Sequence, residues 1–181
     1  APFPSDALTV NPWLGLDSLE PFFSKAQETG SGLFILVHTS NKGSQDIQEI
    51  LINRDLKCYE HLANILKPII EKNNGKSGLS SIGIVSGATY KEQAISSRKI
   101  LPSAPFLIPG YGAQGASASE ATAPLIIDQS YFGLKNFGLI NASRSVLFPK
   151  NSYLVNSIKE WKDVILTELN KTNEELINAK I

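Results

Sequence analysis

Methionine is absent from this 181-residue chain, and there are only two histidines and one cysteine. The lone Cys58 excludes an intrachain disulfide framework and suits a reducing compartment. In its helical surroundings it reads as a packing residue. So few histidines and cysteines argue against a zinc site. Excess charge of one sign is also lacking: Lys plus Arg and Asp plus Glu both number 17. No net field therefore draws the chain to nucleic acid or an anionic membrane surface. No apolar run approaches the roughly 20 residues that span a bilayer, and no segment has the pattern of a secretory leader. The expectation is a cytoplasmic protein, with neither nucleic acid nor membrane among its partners. There is no internal repeat, low-complexity tract or linker. With 42% hydrophobic residues, residues 1–181 read as a single domain with a substantial core.

What is present is an alternation of apolar runs with helical periodicity. Residues 7–14 read as a strand broken at Pro12. Asp17 and Glu20 have capping-box spacing for a helix that ends at Gly30. Gly32–Asn41 is nearly continuous apolar sequence turning polar at its end, as in a strand covered on both faces. Leu56, Tyr59, Ala63, Leu66 and Ile70 recur at helical spacing, with a bend expected at Pro68. Ile82–Thr89 is another buried strand, and Thr89 with Glu92 suggests a second capping box. Phe106–Ile108 and Gly138–Ser145 make the fourth and fifth strands. A closing helix is expected from near Asn151, with Leu154, Ile158, Trp161, Ile165 and Leu169 on one stripe.

Strands alternating with helices imply βαβ units and a parallel sheet, so the fold class is α/β. Ligands in such folds bind at the carboxyl ends of the strands. Polar residues gather at those ends: Asn11, Thr39-Ser40-Asn41, Thr89, Gln114 and Ser143-Arg144. Between the last two strands lies Pro109-Gly-Tyr-Gly-Ala-Gln-Gly115. Its glycines permit positive φ and close approach of backbone to a ligand, and successive N–H groups in such a turn can cradle an anion. An ordinary Gly-rich turn is the competing reading. Residues 116–122 are small and polar, so they should bury little and move, either as a surface loop or as a lid.

Thr9-Val-Asn-Pro-Trp-Leu-Gly15, His38-Thr-Ser-Asn41, Gly87-Ala-Thr89, Leu107–Gly115 and Asn141-Ala-Ser-Arg144 together resemble the orotidine 5′-phosphate decarboxylase family. The nearer likeness is to its branch with the Pro-Gly-Tyr-Gly-Ala-Gln-Gly loop, called type 2. The resemblance implies an eight-stranded (β/α) TIM barrel that converts orotidine 5′-phosphate to UMP, the last step of pyrimidine nucleotide synthesis, without a cofactor. It further implies a homodimer. By matching positions, Ser40 would hydrogen-bond the pyrimidine, with Pro109 beside the ring. Gln114 would bridge pyrimidine and phosphate, and Ser143 and Arg144 would hold the phosphate. The segment after Gly115 would be a closing loop, although Ala116 departs from a glycine common there. Asn11 reads as structural.

The same resemblance exposes a gap. The family's catalytic Asp-x-Lys-x-x-Asp pattern does not occur in this sequence. Asp55-Leu-Lys57, followed by Glu60, comes nearest, but it stands in the wrong order relative to the other motifs and reads as a solvated helix face. No catalytic residue is therefore expected in this chain. It would supply about five βα units, strands four to eight of the barrel, and a missing or separate amino-terminal segment would supply the first three. The lack of methionine fits such an internal start. Two alternatives differ in kind. One is a related sugar-phosphate decarboxylase or epimerase barrel. The other is a self-contained, five-stranded doubly wound domain that binds a nucleotide phosphate without catalysis.

Overall fold

In chain order, the elements of the computed structural model are strand β1 (Ala7–Val10), helix α1 (Leu16–Thr29), β2 (Gly32–His38), a single turn of helix α2 (Ser44–Ile47), β3 (Leu51–Asn53), β4 (Leu56–Lys57), α3 (Cys58–Lys72), β5 (Ile82–Ser86), α4 (Lys91–Ile100), β6 (Phe106–Pro109), α5 (Ala118–Thr122), β7 (Gly138–Asn141), α6 (Arg144–Leu147), a 3-10 turn at Ser152–Leu154, and α7 (Ile158–Asn178). The structure describes residues 5–125, 138–150 and 152–179.

The main sheet has the order β1-β2-β5-β6-β7, and every neighbouring pair is parallel. Strand order thus follows the chain without reversal. A doubly wound sheet needs a reversal, because its halves wind outward from a switch point. The self-contained doubly wound alternative is therefore overturned. β3 and β4 form a separate antiparallel hairpin that the sequence pattern did not reveal.

Burial explains why these runs are strands. All five residues of β5, at the centre of the sheet, are buried. On β2, Leu33, Ile35 and Val37 are buried in a core shared with Leu19 and Phe23 of α1 and Ala63, Leu66 and Ile70 of α3. Phe34 and Leu36, on the opposite face, are only half-buried. The edges are barer still: Leu8 of β1 is 50% exposed and Leu139 of β7 is 44% exposed. β1 and β7 are thus the least covered strands of the sheet.

Several local expectations are corrected. α1 is capped at its start by Gly15, without a side-chain cap from Asp17, and ends at Gly30 with φ 69° as read. Thr89 does not cap α4; its hydroxyl donates to the Ser40 carbonyl at 2.9 Å. α3 continues past Pro68 to Lys72. The closing helix begins at Ile158, so Leu154 lies outside it; Asn151 is not among the described residues. Residues 116–122 are not the weakly buried loop expected. Ser117 and Glu120 form a capping box for α5, and Ala116, Ala121 and Thr122 are buried. Small side chains there let the helix sit close to its neighbours, which a reading based on polarity alone misses.

One buried charge holds the layers together. Arg98 of α4 is 2% exposed, and its guanidinium lies 3.7 Å over the Phe106 ring. Its Nε donates to the Pro124 carbonyl at 3.0 Å, and its Nη1 reaches the carbonyls of Leu101, Pro102 and Ala104 at 3.3, 3.2 and 2.7 Å. Burial brings its pKa down to about 10.

Candidate active site

Because the five strands are parallel, the residues that follow them share one rim of the sheet. Ser40 follows β2, Thr89 follows β5, Gln114 follows β6, and Ser143 and Arg144 follow β7. Pro109, the last residue of β6, pairs in register with Asn141. Ser143 in turn donates its hydroxyl to Asn141 Oδ1 at 3.3 Å. Ser40 and Pro109 are half-buried, while Gln114, Ser143 and Arg144 are exposed.

The turn carrying Ser40 is gripped from several sides. The Gly87 N–H donates to the His38 carbonyl at 2.8 Å, and Thr89 holds the Ser40 carbonyl. A Cβ at Gly87 would lie 2.6 Å from Ser40 Cα and 2.7 Å from its nitrogen. A Cβ at Gly110 would lie 3.0 Å from Ser40 Cβ. Gly87 and Gly110 are therefore glycines because two strand ends meet the Ser40 turn with no room for a side chain.

The Gly-rich segment is a closed loop. Gly110, Gly112 and Gly115 have φ of 109°, 72° and 97°, a region costly for residues with a Cβ. The N–H groups of Gly112, Gly115 and Ala116 donate to the carbonyls of Ala116, Gly112 and Gly110 at 3.1, 2.8 and 3.2 Å. These three donors close the loop rather than face outward, which narrows the anion-cradle reading to its tip, Ala113-Gln114. Tyr111 anchors the loop: its hydroxyl donates to Glu175 of α7 at 2.6 Å, and burial pushes its pKa up to about 12. Sequence spacing gave no signal for that tether, since the partners lie 64 residues apart.

The loop spans the rim. Its base, Gly110, touches Ser40. Farther along, Gly112 faces Ser145, whose Oγ would be 2.9 Å from a Cβ there. Gly112, Ala113, Arg144 and Ser145 line one cavity of about 730 Å³, whose other charged residues are Lys150 and Lys171 and the carboxylates of Asp163 and Glu168. Ala113 of the loop tip and Arg144 thus border the same space, whereas Gln114 is not among the residues that line it. Asn11 Oδ1 accepts from the Trp13 N–H at 3.0 Å. Among the described residues, no group of three His, Cys, Asp or Glu side chains is placed to hold a metal ion, and no helix is long and apolar enough to cross a membrane.

Lys57 closes β4, and although its side chain is 37% exposed it is ion-paired. Its Nζ lies 2.6 Å from Glu49 Oε2, and Glu49 Oε1 lies 2.9 Å from Nε2 of the fully buried His38. Burial holds His38 below the ordinary imidazole range although Glu49 pulls the other way. The folded state therefore binds fewer protons than the unfolded chain just below pH 6.5, and stability rises with pH there. Glu49 and Glu60 are also lowered, against their burial, by hydrogen bonds, which include those from Lys57. They extend the same sign of slope below pH 4.5. We expect urea midpoints to fall as pH drops from 7 to 5, and His38→Asn to flatten that slope. An unchanged slope in the variant would remove His38 from the account.

The profile of the Orotidine 5'-phosphate decarboxylase / HUMPS family matches residues 1–150. The chain belongs to this family. An orotidine 5'-phosphate decarboxylase of Clostridium kluyveri is 41% identical over 145 residues, which are 80% of this chain and 47% of the relative. Among solved structures, UMP synthase of Leishmania donovani superposes with TM-score 0.71 at 30% identity, covering 97% of this chain and 33% of that one. OMP decarboxylase from the same organism gives TM-score 0.63 at 28% identity, over 90% of this chain and 58% of the other. The chain spans about half the length of the curated relatives it matches. The rim of this decarboxylase-family chain is its candidate active site.

Proposed function

We propose that this chain is the phosphate- and pyrimidine-binding part of an enzyme that decarboxylates orotidine 5′-phosphate to UMP. The observation that carries the reading is the 110–116 loop, which touches Ser40 at its base and shares a cavity with Arg144 near its tip. A nucleotide lying along that loop would meet Ser40 and Pro109 with its base, Gln114 in the middle, and Ser143 and Arg144 with its phosphate. The planar fork of Arg144 matches phosphate oxygens.

In this reading the C6–carboxylate bond breaks, CO2 leaves, and the electron pair left on C6 takes a proton. A nearby cation must stabilise that carbanion and supply the proton. The Asp-x-Lys-x-x-Asp residues that would do so lie outside this sequence. We assign the sheet to strands four to eight of an eight-stranded barrel, completed by a segment bearing the lysine. The bare edges at Leu8 and Leu139 support that assignment. Phosphate binding far from C6 would help close the site and hold the reacting carboxylate. The enzyme is taken to work as a cytoplasmic homodimer.

The test is to assemble the chain with a polypeptide carrying the Lys-bearing strands and assay decarboxylation. Activity that appears only in the assembled protein supports the reading, and an assembled but inert protein refutes it. In the same material, Arg144→Ala should weaken UMP by about 10- to 100-fold, the worth of a charge-assisted contact, while leaving uridine nearly unchanged. An undiminished preference for UMP over uridine would sink the assignment of Arg144.

A further inference from the structure

The excursion between β2 and α3, residues 41–57, lies outside the loop and the Arg144 cavity, yet it folds back onto the strand end that carries Ser40. Glu49, just after α2, is its pivot. One carboxylate oxygen pairs with His38 at 2.9 Å and the other with Lys57 of β4 at 2.6 Å. An ionised carboxylate only accepts, so with Lys57 on one oxygen the His38 Nε2–H donates to the other. The imidazole sits edge-on to Tyr59 and Tyr90, with ring centroids 5.1 and 4.9 Å away.

Neighbouring Gln48 takes hold of the next residue. Its Oε1 accepts from the Thr39 N–H at 2.9 Å, and its Nε2 donates to Thr39 Oγ1 at 3.1 Å. Beyond Ser40, the Tyr90 hydroxyl reaches the Asn41 carbonyl at 3.4 Å. Residues 38 and 39 are thus held by the excursion, and residues 40 and 41 by the turn after β5. The ladder to β5 ends at His38, paired with Ser86, and beyond it side chains hold the chain.

We infer that Glu49 is a positioning residue for Ser40: through His38, and backed by Lys57, it sets where the Ser40 hydroxyl meets the pyrimidine edge. This rests on the function proposed above. Without the carboxylate, the fully buried His38 loses its acceptor, and the strand end two residues before Ser40 loses its side-chain anchor.

The inference separates base recognition from phosphate recognition. UMP and ribose 5-phosphate share the phosphate, and only UMP carries the base. Both are titrated into the assembled protein, its Glu49→Ala variant and its Glu49→Gln variant. Glu49→Ala should lower the UMP to ribose 5-phosphate affinity ratio by about tenfold, the scale of a lost hydrogen bond to a polar base edge. Ribose 5-phosphate affinity should stay within about twofold, because the phosphate grip is on other strands. Glu49→Gln keeps an oxygen for His38 and should retain most of the ratio. If Glu49→Ala keeps the parent's ratio, or weakens both ligands equally, the inference is overturned. A parent that does not distinguish the two ligands refutes base reading by Ser40 itself, and the inference falls with it.

Discussion

Arg98→Ala should destabilise the fold by about 3–5 kcal/mol, a large share of the roughly 5–15 kcal/mol that holds a domain together. The guanidinium answers carbonyls of Leu101, Pro102, Ala104 and Pro124, which belong to the turn between α4 and β6 and to the segment after α5. An alanine leaves those oxygens facing a cavity and strips the cation from the Phe106 face. Arg98→Lys should recover less than half of the loss, because an ammonium has no fork to reach carbonyls on two segments. Urea midpoints measure both variants. A lysine variant as stable as the parent would show that the charge matters and the fork does not.

Gly87→Ala should be about as damaging, and it should also disable the site. The added Cβ would fall 2.6–2.8 Å from Ser40 Cα, N and Cβ. Neither partner is a flexible side chain that can swing aside. The Gly87 N–H is bonded to His38, and the Ser40 carbonyl is held by Thr89. Overpacking of this kind costs about 1–3 kcal/mol and more where backbone must move, so we expect about 3 kcal/mol. Relief can come only by shifting the Ser40 turn, so UMP affinity should fall along with stability. Gly75→Ala is the control: its Cβ would meet nothing closer than the Leu79 carbonyl at 3.7 Å, and its midpoint should stay within about 0.5 kcal/mol of the parent. If Gly87→Ala unfolds at the parent's midpoint and binds UMP normally, the close approach of the two strand ends is not a constraint.

Much of this architecture was legible in the residues. Apolar runs such as Ile82–Ser86 have to be strands covered on both faces, and their polar ends have to gather on one rim once the strands are parallel. The Pro-Gly-Tyr-Gly-Ala-Gln-Gly loop announced its positive φ angles, and all three later glycines adopt them. Local capping was less legible. Thr89 with Glu92 has the spacing of a capping box, but the Ser40 carbonyl competes for the same hydroxyl from 49 residues away. The 116–122 segment was misread for a similar reason, since its small residues serve close packing rather than exposure. The strands of the β3–β4 hairpin, three and two residues long, are too short for periodicity to register.

The sequence by itself determined the α/β class, the positions of the five strands of the main sheet and the residues that follow them on the rim, because alternating burial and turn chemistry are local properties of the chain. Only the tertiary structure decided the sequential strand order, the bridging of Ser40 to the Arg144 cavity by one loop, and the Glu49 tie between the excursion and the end of β2. Those depend on contacts between residues far apart in the chain, where spacing carries no information and packing does.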